Sequence, residues 1–270
     1  MSASSKLLLE YNGSRFAGWA RQPGLRTVEE EVSKALAVLL RADEVPLTVA
    51  GRTDAGVHAT AQVASYAGPP VPVAGLNALL PGDVAALACS DAPEGFDARR
   101  DATSRAYCYR ILARPGRSAL LRGRALHWPH LVDLDGLLAC AATLIGTHDF
   151  TAFTPTETNH VRFWRDVYHA FWRRASAPAD PGPSDLLEFW IEADAFMRHM
   201  NRVLVGTMLE VSSGRRSLEP FRALLAGQPR DAAGQTAPAH GLYLAGVGYG
   251  GERVLAGWRW ADPGHTSSTG

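Results

Sequence analysis

The chain has 270 residues, of which 46% are hydrophobic and 20% are charged, and its formal net charge is zero. These values are ordinary for a globular protein and exclude a chain that is disordered throughout. The sequence has no apolar run near the roughly 20 residues that cross a membrane, and its start lacks the apolar segment of a secretory signal. Its three cysteines are far apart and form no CxxC pair, which excludes a disulfide scaffold and a Cys-rich zinc site. We therefore expect a cytoplasmic protein without a membrane segment.

The first half of the chain predicts the element order β-α-β-β-α-β. Thr27, followed by Glu30 three residues later, predicts a capping box at the start of the first helix. Pro81 and Gly82 end the second helix. The expected elements are a strand at 6–11, a helix from Val28 to about Arg41, strands at 45–50 and 61–67, a short helix at 72–79 and a strand at 84–90.

The second half repeats this order without obvious sequence identity. In the strand at 105–112 apolar and polar residues alternate, with Tyr107, Tyr109 and Ile111 on one face. Ser217 is placed to cap a short extra helix. The other expected elements are a helix at 133–145, long strands at 161–174 and 185–194 around a loop at 175–184, a helix with a Met-rich face at 197–211 and a strand at 241–248.

Two β-α-β-β-α-β units predict an α+β protein of two ferredoxin-like halves, with antiparallel sheets and a central active-site cleft. The expected boundaries place the N-terminal half at residues 1–103 and the C-terminal half at 104–261. Residues 262–270 are expected to be a disordered tail.

Arginine is unevenly distributed along the chain. Residues 99–124, the arginine-rich segment, contain eight arginines and a single acidic residue, Asp101. Guanidinium groups pair with phosphates and stack on bases, so the segment indicates nucleic-acid binding. All but two of the 27 basic residues are arginine, so a genome that favours Arg over Lys everywhere is an equally good explanation. The composition alone leaves both explanations open.

The loop GRTDAGVHA at residues 51–59 is the strongest candidate for a reactive site. Its glycines and alanines let a ligand approach the backbone closely. Asp54 lies two residues from Arg52, which can keep the carboxylate ionised and oriented. The alternative is an ordinary hairpin in which Asp54 forms an Asx-turn and Arg52 is solvated.

The same loop matches the signature of the tRNA pseudouridine synthases of the TruA type, and the chain resembles that family over almost its whole length. The other matching segments follow in the family's order. They are YNGS at 11–14 with Phe16, Gly18, Trp19 and Gln22, Asn77 with LPGD at 80–83, FDAR at 96–99, RAYCY at 105–109, DFTAF at 149–153, FMRHMNR at 196–202 with Val205 and Gly206, and GLYL at 241–244.

The resemblance implies a role for each matching residue. Asp54 is similar to the family's catalytic aspartate, and Arg52 to the arginine that displaces the target base and occupies the space it leaves. Tyr107 resembles the tyrosine that stacks on the target uracil. Arg202 resembles the arginine that pairs with the catalytic carboxylate. We also expect Arg105, close to Tyr107 in the same motif, to bind substrate.

The implied function is the conversion of uridine to pseudouridine at positions 38–40 of the tRNA anticodon stem-loop, by a homodimer that grips each tRNA with both subunits. The chemistry is consistent with these residues, because a uridine must leave the base stack before its glycosidic bond is cut. Cutting and rejoining that bond needs one carboxylate, which either adds covalently or removes a proton. No cofactor or metal is implied.

Three further positions need comment. Asn201 stands where the family usually has an apolar residue. His199 is expected to pack beside the Met-rich face or to face a phosphate, rather than to act as a base. His127 and His130 have the spacing of metal ligands, but without a third ligand an ordinary strand end is the better interpretation.

Two other functions remain open at this level. A non-catalytic RNA-binding protein with two RRM-like halves would carry stacking aromatics on its strands and would tolerate loss of Asp54. A glycoside or nucleoside hydrolase would need two carboxylates around the scissile bond, whereas the loop offers one.

Overall fold

The computed structural model describes residues 4–158, 160–175 and 185–257. The strands are β1 (Ser4–Tyr11), β2 (Thr48–Val49), β3 (His58–Ala67), β4 (Val84–Ala92), β5 (Ala102–Leu112), β6 (Leu126–His127), β7 (Gly146–Asp149), β8 (Trp164–Arg174), β9 (Leu186–Ala193) and β10 (Leu242–Tyr249). The α-helices are α1 (Val28–Leu40), α2 (Val73–Leu79), α3 (Leu134–Thr143), α4 (Met200–Ser212) and α5 (Leu218–Ala223). Within these described ranges no helix is long and apolar enough to cross a membrane.

The strands form one continuous, mostly antiparallel sheet in the order β4-β1-β3-β10-β5-β9-β8-β7, with β2 beside β3 and β6 beside β5. The expectation of separate antiparallel sheets is therefore corrected. The last strand, β10, pairs parallel with β3 and antiparallel with β5. At the β3–β10 junction Tyr243 lies opposite His58 and Leu244 lies opposite Ala59. This short parallel ladder joins the two halves and satisfies a sheet edge that would otherwise be open.

The helices cover one face of the sheet. Tyr107, Tyr109 and Ile111 of β5 belong to the main core together with residues of α1, α3 and α4. The intervening Ala106 and Cys108 belong to a smaller cluster on the opposite face. The alternation predicted for this strand is confirmed, and it decides that the Tyr107 ring lies on the helix-covered face.

Most predicted elements are present, with shifted ends. The strand expected at 45–50 is reduced to the two residues of β2, and α4 begins at Met200 rather than Met197. The two short strands β6 and β7 were not predicted. Thr27 is the N-cap residue of α1, yet its side chain accepts no capping hydrogen bond, so the capping box is absent. Most of the predicted loop at 175–184, and the whole tail at 262–270, lie outside the described residues.

Candidate active site

A cavity of about 580 Å³ lies where the loop before β3, strand β5 and the beginning of α4 meet. A volume of this size is typical of pockets that bury a small ligand. The structure thus brings Asp54 and Tyr107 together in one cavity. The lining residues used in the argument below are Arg52, Asp54, Arg105, Tyr107, Phe196, His199 and Asn201.

Buried hydrogen bonds hold the Asp54 loop from beneath. The hydroxyls of Tyr11 and Thr53 lie 2.8 Å apart, and Gln62 Nε2 donates to the Gly51 carbonyl at 2.7 Å and to the Tyr11 hydroxyl at 3.2 Å. The backbone N–H of Trp19 donates to the Thr53 carbonyl at 3.0 Å. Tyr11, Thr53, Gln62 and Trp19 are all buried. The residues on both sides of Asp54 are therefore fixed to the body of the protein.

Two glycines of the N-terminal segment make this packing possible. A Cβ atom on Gly13 would overlap the carbonyl of Val57. Gly18 has a φ of +107°, and a Cβ atom there would lie 2.8 Å from the Thr53 carbonyl. The Gly13 N–H also donates to His58 Nδ1 at 3.0 Å. The YNGS segment and Gly18 thus support the reactive loop by close backbone approach, which only glycine permits.

The Asp54 side chain is 38% exposed, and its Oδ2 lies 3.5 Å from His199 Nε2. Burial lowers the pKa of His199 below its ordinary value of 6.5, and the positive charges of Arg202 and Arg198 lower it further, although Asp54 opposes this. The imidazole is therefore mainly neutral at neutral pH. It lies beside the carboxylate without titrating it away.

His199 also has an unusual backbone. Its φ of 62° and ψ of −3° place it in the left-handed region as the N-cap residue of α4. Non-glycine residues seldom adopt this conformation, and such strain persists where surrounding contacts fix it. The chain is held there by Thr154 Oγ1, which donates to the Arg198 carbonyl at 3.1 Å, and by the Val203 N–H, which donates to the His199 carbonyl at 3.0 Å.

Tyr107 forms the floor of the cavity. Its ring meets Phe196 edge-on, with centroids 4.9 Å apart, and only 8% of the residue is exposed. Burial raises the pKa of the Tyr107 phenol well above its usual range, and the nearby Tyr11 and Asp54 raise it further. The phenol is therefore neutral under physiological conditions. Its ring face is the group available to a base.

Arg105 has a different role from the one expected. All five of its N–H donors bond to backbone carbonyls, namely those of Ala50 (twice), Ala102, Asp194 and Arg99, at 2.8 to 3.1 Å. No donor is left for a substrate. Because Ala50 immediately precedes the Asp54 loop, Arg105 positions that loop against β5, and we correct the substrate-binding assignment accordingly.

Arg202 is not paired with Asp54. Its Nε donates to the Ala237 carbonyl at 2.7 Å, and the Ala237 N–H donates to the Arg202 carbonyl at 3.0 Å. Among the described residues it forms no ion pair. His199 occupies the position beside the carboxylate that sequence reasoning gave to Arg202. Arg202 still acts at a distance, because its charge lowers the pKa of His199.

Arg52 is exposed at the cavity and has no hydrogen bond or ion pair within the described part of the chain. The arginine-rich segment is less uniform. Arg100 pairs with Asp101, and Arg110 pairs with the buried Glu188 while stacking on a tyrosine ring. Arg99 lies at the cavity. Part of the segment is therefore structural, and part is free to contact a polyanion.

Sequence reasoning missed the contact of His199 with Asp54 and the part played by Phe196. The available signal was their position in the FMRHMNR segment, where His199 lies almost one helical turn before Arg202 and thus near the same surface. The HWPH pair is not a metal site. His127 contacts the Arg114 carbonyl, His130 packs against Trp128, and no group of three metal-binding residues occurs in the described ranges.

Comparison with known proteins identifies the class to which this fold and site belong. A profile described as tRNA pseudouridine synthase matches residues 140–250. The chain is 42% identical over 257 residues to tRNA pseudouridine synthase A of Frankia casuarinae, covering 93% of this chain and 91% of that one. It is 38% identical over 250 residues to the protein of the same name from Bacillus pumilus, and 36% over 250 residues to that of Bacillus subtilis. Each of these two alignments covers 90% of this chain and 98% of the relative.

These proteins define a class of RNA-modifying isomerases. Similarity at this level over nine-tenths of the sequence shows the family. The chain belongs to the tRNA pseudouridine synthase A family, and the resemblance inferred from the Asp54 loop is confirmed.

Proposed function

We propose that this protein converts uridine to pseudouridine at positions 38–40 of the tRNA anticodon stem-loop. The observation that carries the proposal is the single cavity in which an ionisable Asp54 lies beside a buried tyrosine ring. A flipped base needs such a ring face on which to stack, and its glycosidic bond needs a carboxylate within reach.

Asp54 begins the reaction with its carboxylate, and the contact with neutral His199 orients that group. The N1–C1′ bond of uridine breaks, the detached uracil turns, and a bond forms between C5 and C1′. The proton that leaves C5 is balanced by one gained at N1, so the reaction needs no oxidant, reductant or metal. Tyr107 supplies stacking, which is worth about 1–3 kcal/mol per base.

The arginines have separate roles in this proposal. Arg52 displaces the target base and occupies its place in the stack, which its freedom from partners supports. Arg202 keeps its place among the active-site residues but acts through its field on His199 rather than by direct pairing with Asp54. Arg105 holds the loop in register with Tyr107.

The fold is described as two ferredoxin-like halves, residues 1–103 and 104–261. The strand order supports this description. In the first half the order is β4-β1-β3-β2, and in the second it is β10-β5-β9-β8. In each half, the strands numbered in their own sequence order run 4-1-3-2. The cavity lies at the junction of the two units, as the topology requires for residues contributed by both.

We further propose a cytoplasmic homodimer, as the family resemblance implies. Leu120 and Leu131 support a protein contact, because both side chains are almost fully exposed. The cysteines support a reducing compartment, since Cys89, Cys108 and Cys140 are all free thiols in the described part of the chain.

The test is incubation of the protein with an unmodified tRNA transcript, followed by mapping of pseudouridine. The proposal expects the product at one or more of positions 38–40, and none with Asp54→Asn. A tRNA that is bound but unchanged would favour the RNA-binding alternative. Release of free uracil would favour a hydrolase.

A further inference from the structure

Asn201 is an unpaired polar residue in the wall of the cavity. It lies in the first turn of α4 and lines the same cavity as Asp54 and Tyr107. Only 4% of the residue is exposed, and its Oδ1 is buried without a hydrogen-bond partner. Its Nδ2 has no partner either among the described residues. Both ends of the amide are therefore available.

This situation is exceptional within the helix. Thr207, a buried polar residue of α4 away from the cavity, donates from Oγ1 to the Val203 carbonyl at 2.7 Å and accepts from the Gly234 N–H at 3.0 Å. A buried amide without a partner is costly, and nearly all buried polar groups have one. The position of Asn201 in the cavity wall indicates that its partner arrives with the ligand.

A uracil base has one edge that matches a free carboxamide. This imide edge presents the N3–H donor between the O2 and O4 acceptors, so an amide oxygen can accept from N3–H while the amide nitrogen donates to the adjacent carbonyl. Rotation of the Asn201 amide about its Cβ–Cγ bond breaks no hydrogen bond, because neither of its polar atoms is held.

The same edge has a second property that suits this reaction. To join C5 to C1′, the detached uracil must make a half-turn about the axis through N3 and C6. That rotation exchanges O2 with O4 and leaves N3–H in place. An amide paired with the imide edge therefore finds the same donor and acceptor pattern before and after the turn.

We propose that the Asn201 amide pairs with the imide edge of the target uracil and holds the base in the cavity between cleavage of the N1–C1′ bond and formation of the C5–C1′ bond. The inference rests on the proposed function, and it makes Asn201 a substrate-contacting residue specific to this chain. It adds no step to the chemistry. The contact keeps the detached base at the correct depth on Tyr107 while it turns.

The test compares wild type and Asn201→Val in single-turnover pseudouridine formation on three transcripts, which carry uridine, 2-thiouridine or 4-thiouridine at the modified position. Sulfur is a weaker acceptor than oxygen, so we expect at least one thio transcript to slow wild type by about five- to tenfold. Asn201→Val is expected to be about tenfold slower than wild type on uridine and to differ by less than twofold among the three transcripts.

Two controls make the comparison decisive. Thr207→Val removes a buried polar group from the same helix outside the cavity, and it should keep the wild-type ratios whatever its stability. Should Asn201→Val fail to fold, Asn201→Ala serves in its place. Equal sulfur effects in wild type and the Asn201 variant would overturn the inference. If wild type modifies a uridine outside positions 38–40, the proposed target is wrong, and the thio comparison is then made at that uridine.

Discussion

The two walls of the cavity are built in opposite ways. The Asp54 wall, residues 51–57, is tied to the protein by Tyr11, Gln62 and Arg105, and the hydrogen-bonding groups beneath it are satisfied. The helix wall, residues 196–201, contains a strained His199 backbone and an Asn201 amide without partners.

The difference separates the two requirements of the reaction. The carboxylate must stay at one place while bonds to the sugar are exchanged, so its wall is rigid by construction. The base must enter, detach and turn, so its wall offers groups that are completed by the ligand. The predictions below alter one wall at a time.

Removing the charge of the Asp54 wall has the largest expected effect. Asp54→Asn is nearly isosteric and leaves the supporting hydrogen bonds in place, but an amide neither attacks nor accepts a proton at neutral pH. We expect pseudouridine formation to fall by at least about 10²–10⁴-fold in single turnover. Binding of tRNA, measured by filter retention, should stay within a few-fold. Loss of binding together with activity would make Asp54 a structural turn residue.

Loosening the Asp54 wall without touching the cavity's reactive groups comes next. Arg105→Lys cannot replace five hydrogen bonds to backbone carbonyls, so we expect the free energy of unfolding to fall by about 2–4 kcal/mol in urea denaturation. The rate should fall more than the tRNA affinity. Arg100→Lys, at an exposed pair with Asp101, is the matched control and should change stability little. An affinity loss larger than the rate loss would restore Arg105 to substrate binding.

The helix wall is tested through pH. The folded-state pKa of His199 lies below 6.5, so its contribution to stability is present above the unfolded-state pKa and is lost as pH falls through the folded-state value. Protonation also lets the imidazolium pair with Asp54 and compete for its charge. We expect the single-turnover rate of wild type to fall below pH 6.5, and His199→Gln to show a weaker decline.

His160 provides the control for this profile. It lines the same cavity and its pKa is also lowered, chiefly by burial, but it has no ion pair with Asp54. His160→Gln should keep the acid decline of wild type. A decline that disappears in both variants, or in neither, would contradict the role given to His199.

The smallest effect is expected outside both walls, in the arginine-rich segment. Arg99, Arg117 and Arg122 have no side-chain partner among the described residues, whereas Arg100 is paired. Alanine at each of the three should lower the slope of log K against log salt by about 0.7–0.9 per phosphate contact. Arg100→Ala should change the slope less. Unchanged slopes for all four variants would leave the segment as a compositional bias.

The sequence by itself determined the elements and the reactive loop. Alternation in β5 placed Tyr107 on the core face, and the small residues around Asp54 marked a site of close approach. These inferences succeed because they depend on side-chain periodicity and local backbone geometry, which a few neighbouring residues decide. The ends of α4 and β2 were misplaced, since the packing of distant segments decides where a helix or strand stops.

Only the tertiary structure decided which groups meet. The parallel pairing of β3 with β10 makes one sheet of the two halves, and it joins residues more than 180 positions apart. Arg105 is taken up by backbone carbonyls, Arg202 is held by Ala237, and His199 instead of an arginine lies beside Asp54. A charged side chain forms its contacts with whatever the fold brings within reach. The residue types in a motif therefore do not fix its partners.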